Sequence, residues 1–360
     1  MRIALFADRL ELGGVETHIL SFASELLRRG HHILLYSGAA YQELLDYFVH
    51  GHESFQHVNW SQDNPTDDVR QFCPDIIHAH PFTSIVKGYM VARELGKPLI
   101  VSMHGLYDFG LDRSPLGWEV SRDVCRIIAA DMGVASLLLN CVAHPEKVSI
   151  IRNCIDLTTF HPLPLDQAAR LELDLEEKWF TIVVVSRLGD NKETSILQLL
   201  RCAPELSSRL GGLNIVIVGD GPWITHIRDK ATETMKMARN LRVNLTGRQL
   251  DVRKFLGMAD LVMACGRAAL EAMACQRPVF TANAFGYAGV IDSNNHHDIF
   301  LHRRGYAWIS DEELTSQLID LANNEVYRKN VAEQGLEVIR CYHDLDEATT
   351  QLERIYQQYV

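Results

Sequence analysis

The sequence predicts an α/β protein with two doubly wound parallel sheets, and three observations lead to that prediction. The chain has 360 residues, which is too long for one average hydrophobic core. Short apolar segments alternate with helical segments, and glycine-rich loops join several strands to the next helix. A segment with two prolines, residues 160–166, interrupts this alternation, which then starts again. We therefore expect two Rossmann-like domains that face each other across a cleft.

The composition excludes several classes of protein. Hydrophobic residues make up 47% of the chain, as in a globular protein, and no apolar run approaches a membrane span. The eight cysteines include no C-x-x-C pair, which favours reduced thiols over disulfides or a zinc cluster. The net charge of −11 disfavours nucleic-acid binding. Since the apolar run before Asp8 is too brief for a signal peptide, we expect a cytoplasmic protein.

The chain begins with a strand, a glycine loop, a helix and a second strand. The strands are predicted over residues 1–6 and 32–36, and Gly13 and Gly14 precede the helix. Backbone N–H groups in such a loop can hold an anion or a hydroxyl-rich ligand. The loop lacks the G-x-G-x-x-G spacing of a dinucleotide site, and ordinary turn chemistry is the alternative interpretation.

Histidines lie at the ends of two further strands in the first half. Strand alternation places His78 and His80 on one face of a strand over residues 75–80. Because no third metal ligand is indicated, we interpret both as polar residues at a sheet edge. His104 lies near the end of a strand over residues 98–105, where parallel sheets bind ligands. It is a candidate donor or acid/base group, and a structural histidine is the alternative.

The second half contains the stretch 259–280, which reads as a strand, a turn at Gly266 and a helix over residues 267–275. Such a helix points free N–H groups and the positive end of its dipole at the carboxyl edge of the sheet, which predicts an anion site. Glu271 is placed to accept hydrogen bonds from sugar hydroxyls. A solvated glutamate on an ordinary crossover helix is the alternative.

The final helix is predicted to start at about Leu345. It places Ala348, Leu352, Ile355 and Tyr359 on one face, which needs a partner surface.

Seven segments occur in an order and spacing that resembles one family. They are GGVE at 13–16, MHG at 103–105, NCID at 153–156, SRLGDNK at 186–192, GDGP at 219–222, LTGR at 245–248 and LEAMACQRPV at 270–279. In these segments the chain is similar to the family 4 glycosyltransferases of GT-B fold. These are retaining enzymes that transfer a sugar from a nucleotide sugar to an acceptor.

The resemblance implies the site residues and the chemistry. Arg187, Lys192 and His104 match catalytic positions, and no metal or cofactor is expected because cations and helix termini hold the charge of the leaving diphosphate. Glu271 matches the glutamate that binds the donor ribose, and His104 is expected beside the donor sugar. The donor-binding residues that the resemblance implies are Gly13, Gly14, Gly219, Gly221, Arg248, Gly266, Arg267, Ala268, Ala269 and Glu271.

The sequence departs from the family pattern at one glutamate. The family usually carries a second glutamate eight residues before the ribose-binding one, and this chain has Met263 there. Alignment of the flanking segments indicates that the loop with that glutamate is deleted. We expect Arg267, in the shortened turn, to take over part of the charge stabilisation. Cys154 replaces the usual glycine of the linker, which is a milder change.

The resemblance also implies that the two domains have different roles. Residues 1–162 with 344–360 are expected to form the acceptor-side domain, and residues 163–343 the nucleotide-sugar domain. The acceptor is expected to be a sugar, a lipid-linked glycan or a small molecule, with peripheral contact at the inner face of a membrane as a further expectation. The base, the sugar, the acceptor and the oligomeric state stay open. The alternatives are a nucleotide-sugar-binding protein or partner subunit without catalysis, and a sugar-nucleotide epimerase. A dehydrogenase ranks last, since no nicotinamide fingerprint is present.

Overall fold

The structure is a computed structural model that describes residues 1–11, 13–60, 65–189 and 191–360. The chain divides into two compact units. The first comprises Met1–Asp156 and Asp344–Val360, and the second comprises Leu157–His343. Leu12 of the glycine loop and Asp190 of the SRLGDNK segment lie outside the described residues.

The first unit contains a parallel sheet of seven strands. The strands are β1 (Arg2–Ala7), β2 (His32–Ser37), β3 (Phe55–Asn59), β4 (Ile76–Ala79), β5 (Leu99–Met103), β6 (Arg126–Ala129) and β7 (Val148–Ile150). Their order is β3-β2-β1-β4-β5-β6-β7, and each neighbouring pair is parallel. The helices of this part are α1 (Gly14–Arg28), α2 (Gln42–Val49), α3 (Pro65–Phe72), α4 (Thr83–Leu95), α5 (Pro115–Asp123) and α6 (Met132–Leu138), with a 3-10 helix over Pro145–Lys147.

The second unit contains a sheet of six strands. The strands are β8 (Phe180–Val185), β9 (Leu213–Val218), β10 (Leu241–Gly247), β11 (Leu261–Ala264), β12 (Val279–Asn283) and β13 (Gly286–Val290). Their order is β10-β9-β8-β11-β12-β13, and only the last pairing is antiparallel. The helices are α7 (Ala168–Leu171), α8 (Glu193–Leu210), α9 (Ile224–Met237), α10 (Arg253–Gly257), α11 (Gly266–Ala274), α12 (Asp311–Asn323) and α13 (Glu325–Tyr342), with a π-helix over His297–Leu301.

Helices cover both faces of the second sheet. Side chains of α8, α9 and α12 share one apolar cluster with Met263 of β11 and Phe280 of β12. Helices α11 and α13 contact each other, and their side chains are absent from that cluster, so they cover the opposite face. Burial on both faces explains why the central strands read as continuous apolar runs. The predicted pair of Rossmann-like domains is confirmed, with an antiparallel edge strand that the sequence did not indicate.

The proline segment lies inside the second unit. We expected the boundary at residue 162, whereas the first unit ends at Asp156. The Arg277 guanidinium donates hydrogen bonds to the carbonyls of Leu163 (3.0 Å) and Pro164 (2.8 Å), which fixes the segment against its own domain. The prolines therefore exclude regular structure here without marking the domain boundary.

The last helix, α14 (Leu345–Tyr356), returns to the first unit. The Leu345 N–H donates to the Ile155 carbonyl at 3.1 Å, and Arg29, the C-cap residue of α1, pairs with Glu353 at 2.5 Å. The buried residues are Leu345, Ala348, Thr349, Leu352 and Tyr356. The buried face was predicted to end at Tyr359, and this was wrong, because the helix ends at Tyr356. Tyr356, one helical turn beyond Leu352, is the last buried residue of the helix.

Candidate functional site

The loop after β8 and the loop after β9 are hydrogen-bonded to each other at the carboxyl edge of the second sheet. The Leu188 N–H donates to the Asp220 carbonyl at 2.9 Å, and the Trp223 N–H donates to the Leu188 carbonyl at 3.1 Å. A Cβ at Gly219 would overlap the Ser186 carbonyl oxygen, and one at Gly221 would come within 2.5 Å of the Leu188 oxygen. These two glycines therefore allow the loop after β9 to pack against the loop that carries Arg187. Their predicted contact with a donor stays a prediction.

Arg187 and Lys192 lie on the loop between β8 and α8. Arg187 is exposed, and Lys192 is half-buried at the N-cap position of α8. Burial raises the pKa of the Cys265 thiol, and the Lys192 ammonium opposes that rise. Val185 at the end of β8 pairs in register with Ala264 at the end of β11, so the loop with Lys192 begins beside Cys265, the residue at the N-cap of α11. The structure therefore brings the loop with the two predicted cations to the start of the predicted anion-binding helix.

The N-terminus of α11 has the open geometry that an anion site requires. The Cys265 side chain makes no capping hydrogen bond, so within the described residues it leaves the first N–H groups of the helix unsatisfied by a cap. Gly266 has φ of +56°, and an added Cβ would meet no described atom within 4 Å. Ala268 is half-buried and Ala269 is buried behind this turn. The helix begins one residue before the predicted Arg267.

Glu271 and Arg267 form an ion pair along α11. The Arg267 Nε donates to Glu271 Oε1 at 2.9 Å, and the two side chains are only 10% and 13% exposed. Burial raises the pKa of the Glu271 carboxyl, and the Arg267 charge and hydrogen bond oppose the rise. The alternative of a solvated glutamate is wrong. Because the two residues are four apart on a helix, Arg267 is placed to hold Glu271, and its expected contact with a ligand stays a prediction.

Arg248 is exposed and follows Gly247 at the end of β10. The Gly219 N–H donates to the Gly247 carbonyl at 3.0 Å, which joins this turn to the loop after β9. The loops after β8, β9 and β10 are thus connected through their backbones.

Gly13 and Gly14 lie at the start of α1 in the first unit. Gly13 is the N-cap residue with an extended backbone, φ −165°, and its carbonyl accepts a hydrogen bond from the Thr17 hydroxyl at 2.8 Å. A Cβ at Gly14 would meet no described atom within 4 Å. Sterically, Gly14 does not require glycine in the described part of the chain. Ligand contact at Gly13 and Gly14 stays a prediction.

His104 belongs to a cluster of four histidines in the first unit. Its Nε2 lies 3.0 Å from Nδ1 of His80, and its ring packs edge-on against His18 with centroids 4.6 Å apart. The ring of His78 lies 4.5 Å from that of His80, which confirms that both share one face of the strand. The cluster borders a cavity of about 20 Å³, which has room for one water.

His78 lies near the carboxyl end of β4 and His80 directly follows that strand, and both side chains are buried. His78 hydrogen-bonds the Tyr356 hydroxyl at 2.6 Å and the Ser102 hydroxyl at 2.8 Å. Burial lowers the pKa of His78 to about 3 and that of His80 well below its usual value, so both rings are neutral at pH 7. Among the described residues, no group of three or more His, Cys, Asp and Glu side chains is arranged to hold a metal ion.

The sequence did not indicate three residues that lie near the start of α11 or in contact with the histidine cluster. Cys265 separates the predicted strand and helix, and Tyr306 reaches the same sheet edge from a later loop. Tyr356 contacts the histidine cluster from the other end of the chain. Only its apolar spacing from Leu352 could have identified Tyr356, and no local signal identifies the other two.

Two family models match the chain and together cover most of it. The model described as Glycosyltransferase Family 4 matches residues 12–159, and the model described as Glycosyl transferases group 1 matches residues 180–324. The two matched segments fall in the first and the second unit, with only a few residues past the boundary.

Curated relatives carry related names. The chain is 30% identical over 241 residues to a D-inositol 3-phosphate glycosyltransferase of Catenulispora acidiphila, a match that covers 59% of this chain and 56% of the relative. It is 26% identical over 311 residues to a phosphatidylinositol N-acetylglucosaminyltransferase subunit of Homo sapiens, covering 79% of this chain and 62% of the relative. The chain thus spans less than two thirds of the length of these two relatives.

Solved structures share the fold. HepE of Anabaena, in complex with UDP and glucose, matches with a TM-score of 0.74 and 17% identity over 98% of both chains. A glycosyltransferase from Rickettsia africae matches with a TM-score of 0.77 and 17% identity over 99% of this chain and 98% of that one. No described helix of this chain has the length and apolar character that crossing a membrane requires.

Proposed function

Because this chain belongs to glycosyltransferase family 4, we propose that it transfers a sugar from a nucleoside-diphosphate sugar to an acceptor hydroxyl. The proposal includes retention of the anomeric configuration and no requirement for a metal ion. It describes a glycosyltransferase of the hexosyl or a related type with the two-domain GT-B fold.

One observation carries the proposal: the loop that carries Arg187 and Lys192 follows β8, and the last residue of β8, Val185, pairs in register with Ala264, directly before the N-cap of α11. Cationic side chains and the N–H groups of a helix N-terminus, together at one sheet edge, suit a diphosphate. Arg187 lies on the same loop, which backbone hydrogen bonds hold to the loop after β9. In the proposal, Arg187, Lys192 and the N–H groups of residues 266–269 bind the two phosphates.

The proposed reaction builds negative charge on the departing diphosphate. The acceptor hydroxyl attacks the anomeric carbon on the face that the diphosphate leaves, the bond from that carbon to the phosphate oxygen breaks, and a phosphate oxygen takes the hydroxyl proton. Arg187 and Lys192 stabilise this charge because they are fixed near the place where it develops. His104, in the first unit, is kept as a proposed catalytic residue on the basis of the family match.

Glu271 suits the role of ribose ligand. Its carboxylate is buried, and Arg267 keeps it oriented along α11. A carboxylate accepts two hydrogen bonds from adjacent hydroxyls, such as those of a ribose. We therefore place the nucleoside beside the first turns of α11 and leave the base open.

The acceptor follows only from the relatives. The names of the two relatives above contain inositol phosphate and phosphatidylinositol, so an inositol-containing acceptor is the first to test. Exposed apolar side chains on the first unit favour peripheral attachment to a membrane from the cytoplasm: Phe82, Leu106, Phe109 and Trp118 are 44–54% exposed. The rings of Phe82 and Phe109 lie 6.2 Å apart, which joins two of them into one patch.

A second candidate is a nucleotide-sugar-binding protein or partner subunit without catalysis. Met263 stands where the family has its first glutamate, and the Nε of Arg267, the expected replacement, donates to Glu271. Tight donor binding without transfer to any acceptor would favour this candidate.

A thermal-shift screen tests the proposed function. Uridine, guanosine and adenosine diphosphates and their common sugars are added to the protein, and the melting temperature is recorded. One of these series should raise the melting temperature as its concentration increases, because a ligand that binds only the folded state stabilises it. The absence of a shift with all three series at millimolar concentration would contradict donor binding.

A further inference from the structure

Tyr306 lies at the same sheet edge as the start of α11, although it is far away in the sequence. Its hydroxyl lies 3.2 Å from Thr281 Oγ1. Thr281 of β12 pairs in register with Ala264 of β11, and Cys265 directly follows Ala264. The Tyr306 hydroxyl is therefore held one strand away from the turn that begins α11.

The side chain of Thr281 points to the face that α11 covers. Phe280 belongs to the apolar cluster on the side of α8, α9 and α12. Successive side chains of a strand point to opposite faces, so Thr281 faces the side of α11 and α13. Tyr306 thus meets Thr281 on the face of α11, next to the predicted anion site.

Backbone contacts fix the loop that carries Tyr306. Tyr287 and Ala307 exchange two backbone hydrogen bonds, each 2.9 Å long. A Cβ at Gly286 would overlap the Ala307 carbonyl, so this glycine permits the close approach. Because the residue after Tyr306 is paired in this way, the phenol has a defined position.

Either hydroxyl can be the donor in the hydrogen bond between Tyr306 and Thr281, so the Tyr306 O–H can donate to a ligand when Thr281 donates to it. Burial raises the pKa of Tyr306 to about 12, and hydrogen bonds with the Thr281 and Asn283 side chains oppose the rise. A phenol has one O–H to donate, and at neutral pH that proton is present.

The surroundings of the hydroxyl favour an anionic ligand. The Cys265 thiol and the Arg303 guanidinium both lie close enough to shift the pKa of Tyr306, and Lys192 acts in the same way on Cys265. The phenol therefore lies near the Arg303 side chain, and through Thr281 and Ala264 it lies one strand from the start of α11. Since it is neutral, it can donate to a phosphate oxygen without repulsion.

We propose that Tyr306 is a further donor-binding residue, whose hydroxyl donates a hydrogen bond to a diphosphate oxygen at the start of α11. This assignment rests on the proposed function, because it needs a diphosphate at that place. It adds a third side chain to Arg187 and Lys192, from a loop that follows β13.

Calorimetric titration with UDP tests the assignment through Tyr306→Phe, which removes only the hydroxyl. Tyr287→Phe is the matched control, because its hydroxyl is buried in the same domain and donates to the Ser195 carbonyl at 3.2 Å. Should the screen favour another base, the corresponding diphosphate replaces UDP. Circular dichroism melts check that both variants fold.

We expect Tyr306→Phe to weaken diphosphate binding about tenfold or more, as for the loss of one hydrogen bond to a charged group. Tyr287→Phe should bind as the wild type does, and Tyr306→Phe should bind the parent nucleoside unchanged, as measured by NMR. Equal diphosphate affinity in Tyr306→Phe and wild type, or an equal loss for the nucleoside, would overturn the assignment. A wild-type protein that binds no diphosphate would overturn the proposed function itself.

Discussion

At the scale of single residues, the ion pair of Arg267 and Glu271 on α11 shows how burial affects the hydrogen bonds that a carboxylate can make to a ligand. Glu271 is shielded from solvent and keeps Arg267 as its partner. A solvated glutamate would gain little from two ribose hydroxyls, since water competes for the same hydrogen bonds. A shielded and oriented carboxylate gains more, because part of its desolvation has already occurred in the folded protein.

We therefore predict that Glu271→Gln selectively loses recognition of the ribose hydroxyls. The variant should bind the nucleoside diphosphate about 10 to 100 times more weakly, since a hydrogen bond to a charged group is lost. It should bind the 2′,3′-dideoxy analogue as the wild type does. Calorimetric titrations of both ligands into both proteins measure this. An equal loss for the two ligands would show that Glu271 does not contact the ribose.

At the scale of elements, the histidine cluster connects four segments of the first unit. His18 comes from α1, His78 and His80 from the strand β4 and the residue after it, and His104 from the end of β5, while Tyr356 of α14 closes one side. Burial keeps His78 and His80 neutral, so protonation of either ring opposes folding.

The cluster predicts that acid destabilises the protein below about pH 6.5. The pKa values of His78 and His80 are lower in the folded state than in the unfolded chain, so the unfolded state binds more protons as the pH falls. The contribution of the two histidines to the free energy of unfolding is therefore complete above the pKa that histidine has in the unfolded chain. It decreases toward pH 3 by about 1.4 kcal/mol per pH unit for each histidine. Urea unfolding from pH 7 to pH 5 measures the slope.

The double variant His78→Gln/His80→Gln is the control for this slope. Its neutral amides cannot take up a proton, so its stability should depend less steeply on pH than that of the wild type. The same slope in both proteins would assign the acid sensitivity to other groups. Tyr356→Phe, which keeps both histidines, should retain the wild-type slope.

The sequence predicted elements better than the packing between them. Strands β1 and β2 lie within one residue of their predicted bounds, because short apolar runs bounded by glycine or polar residues are typical of buried parallel strands. Residues 41–75 had a mixed pattern, yet they hold α2, β3 and α3. The strand β3 is only half-buried, so its apolar signal is weak.

At the scale of the whole molecule, the chain order explains which parts of the site could be predicted. Arg187, Lys192, Gly266 and Glu271 lie in loops and a helix that directly follow strands of one parallel sheet, so local pattern and topology suffice to bring them to one edge. Tyr306 and Tyr356 reach their places through long connections. Their contacts depend on how distant segments pack, which neither periodicity nor a motif records.

The boundary between the two units lies before the proline segment, not within it. The sequence indicated that the last helix returns to the first domain, but it placed the domain boundary at the prolines. Those prolines are held by Arg277, which also donates to the Leu256 carbonyl at 2.8 Å, inside the second unit. A break in regular structure marks a domain boundary only where few contacts cross it. Here the buried Arg277 makes contacts that hold the proline segment to the second unit.

The central claim is that the two phosphates of the donor bind at Arg187, Lys192 and the N-terminus of α11. Calorimetric titration of the nucleoside diphosphate into Arg187→Ala and Lys192→Ala tests this most directly. Lys230→Ala is the control because Lys230 pairs with Glu233 on the exposed face of α9. We predict that each site variant binds about 10 to 100 times more weakly than the wild type, while the control binds equally. Wild-type affinity in both site variants would contradict the account.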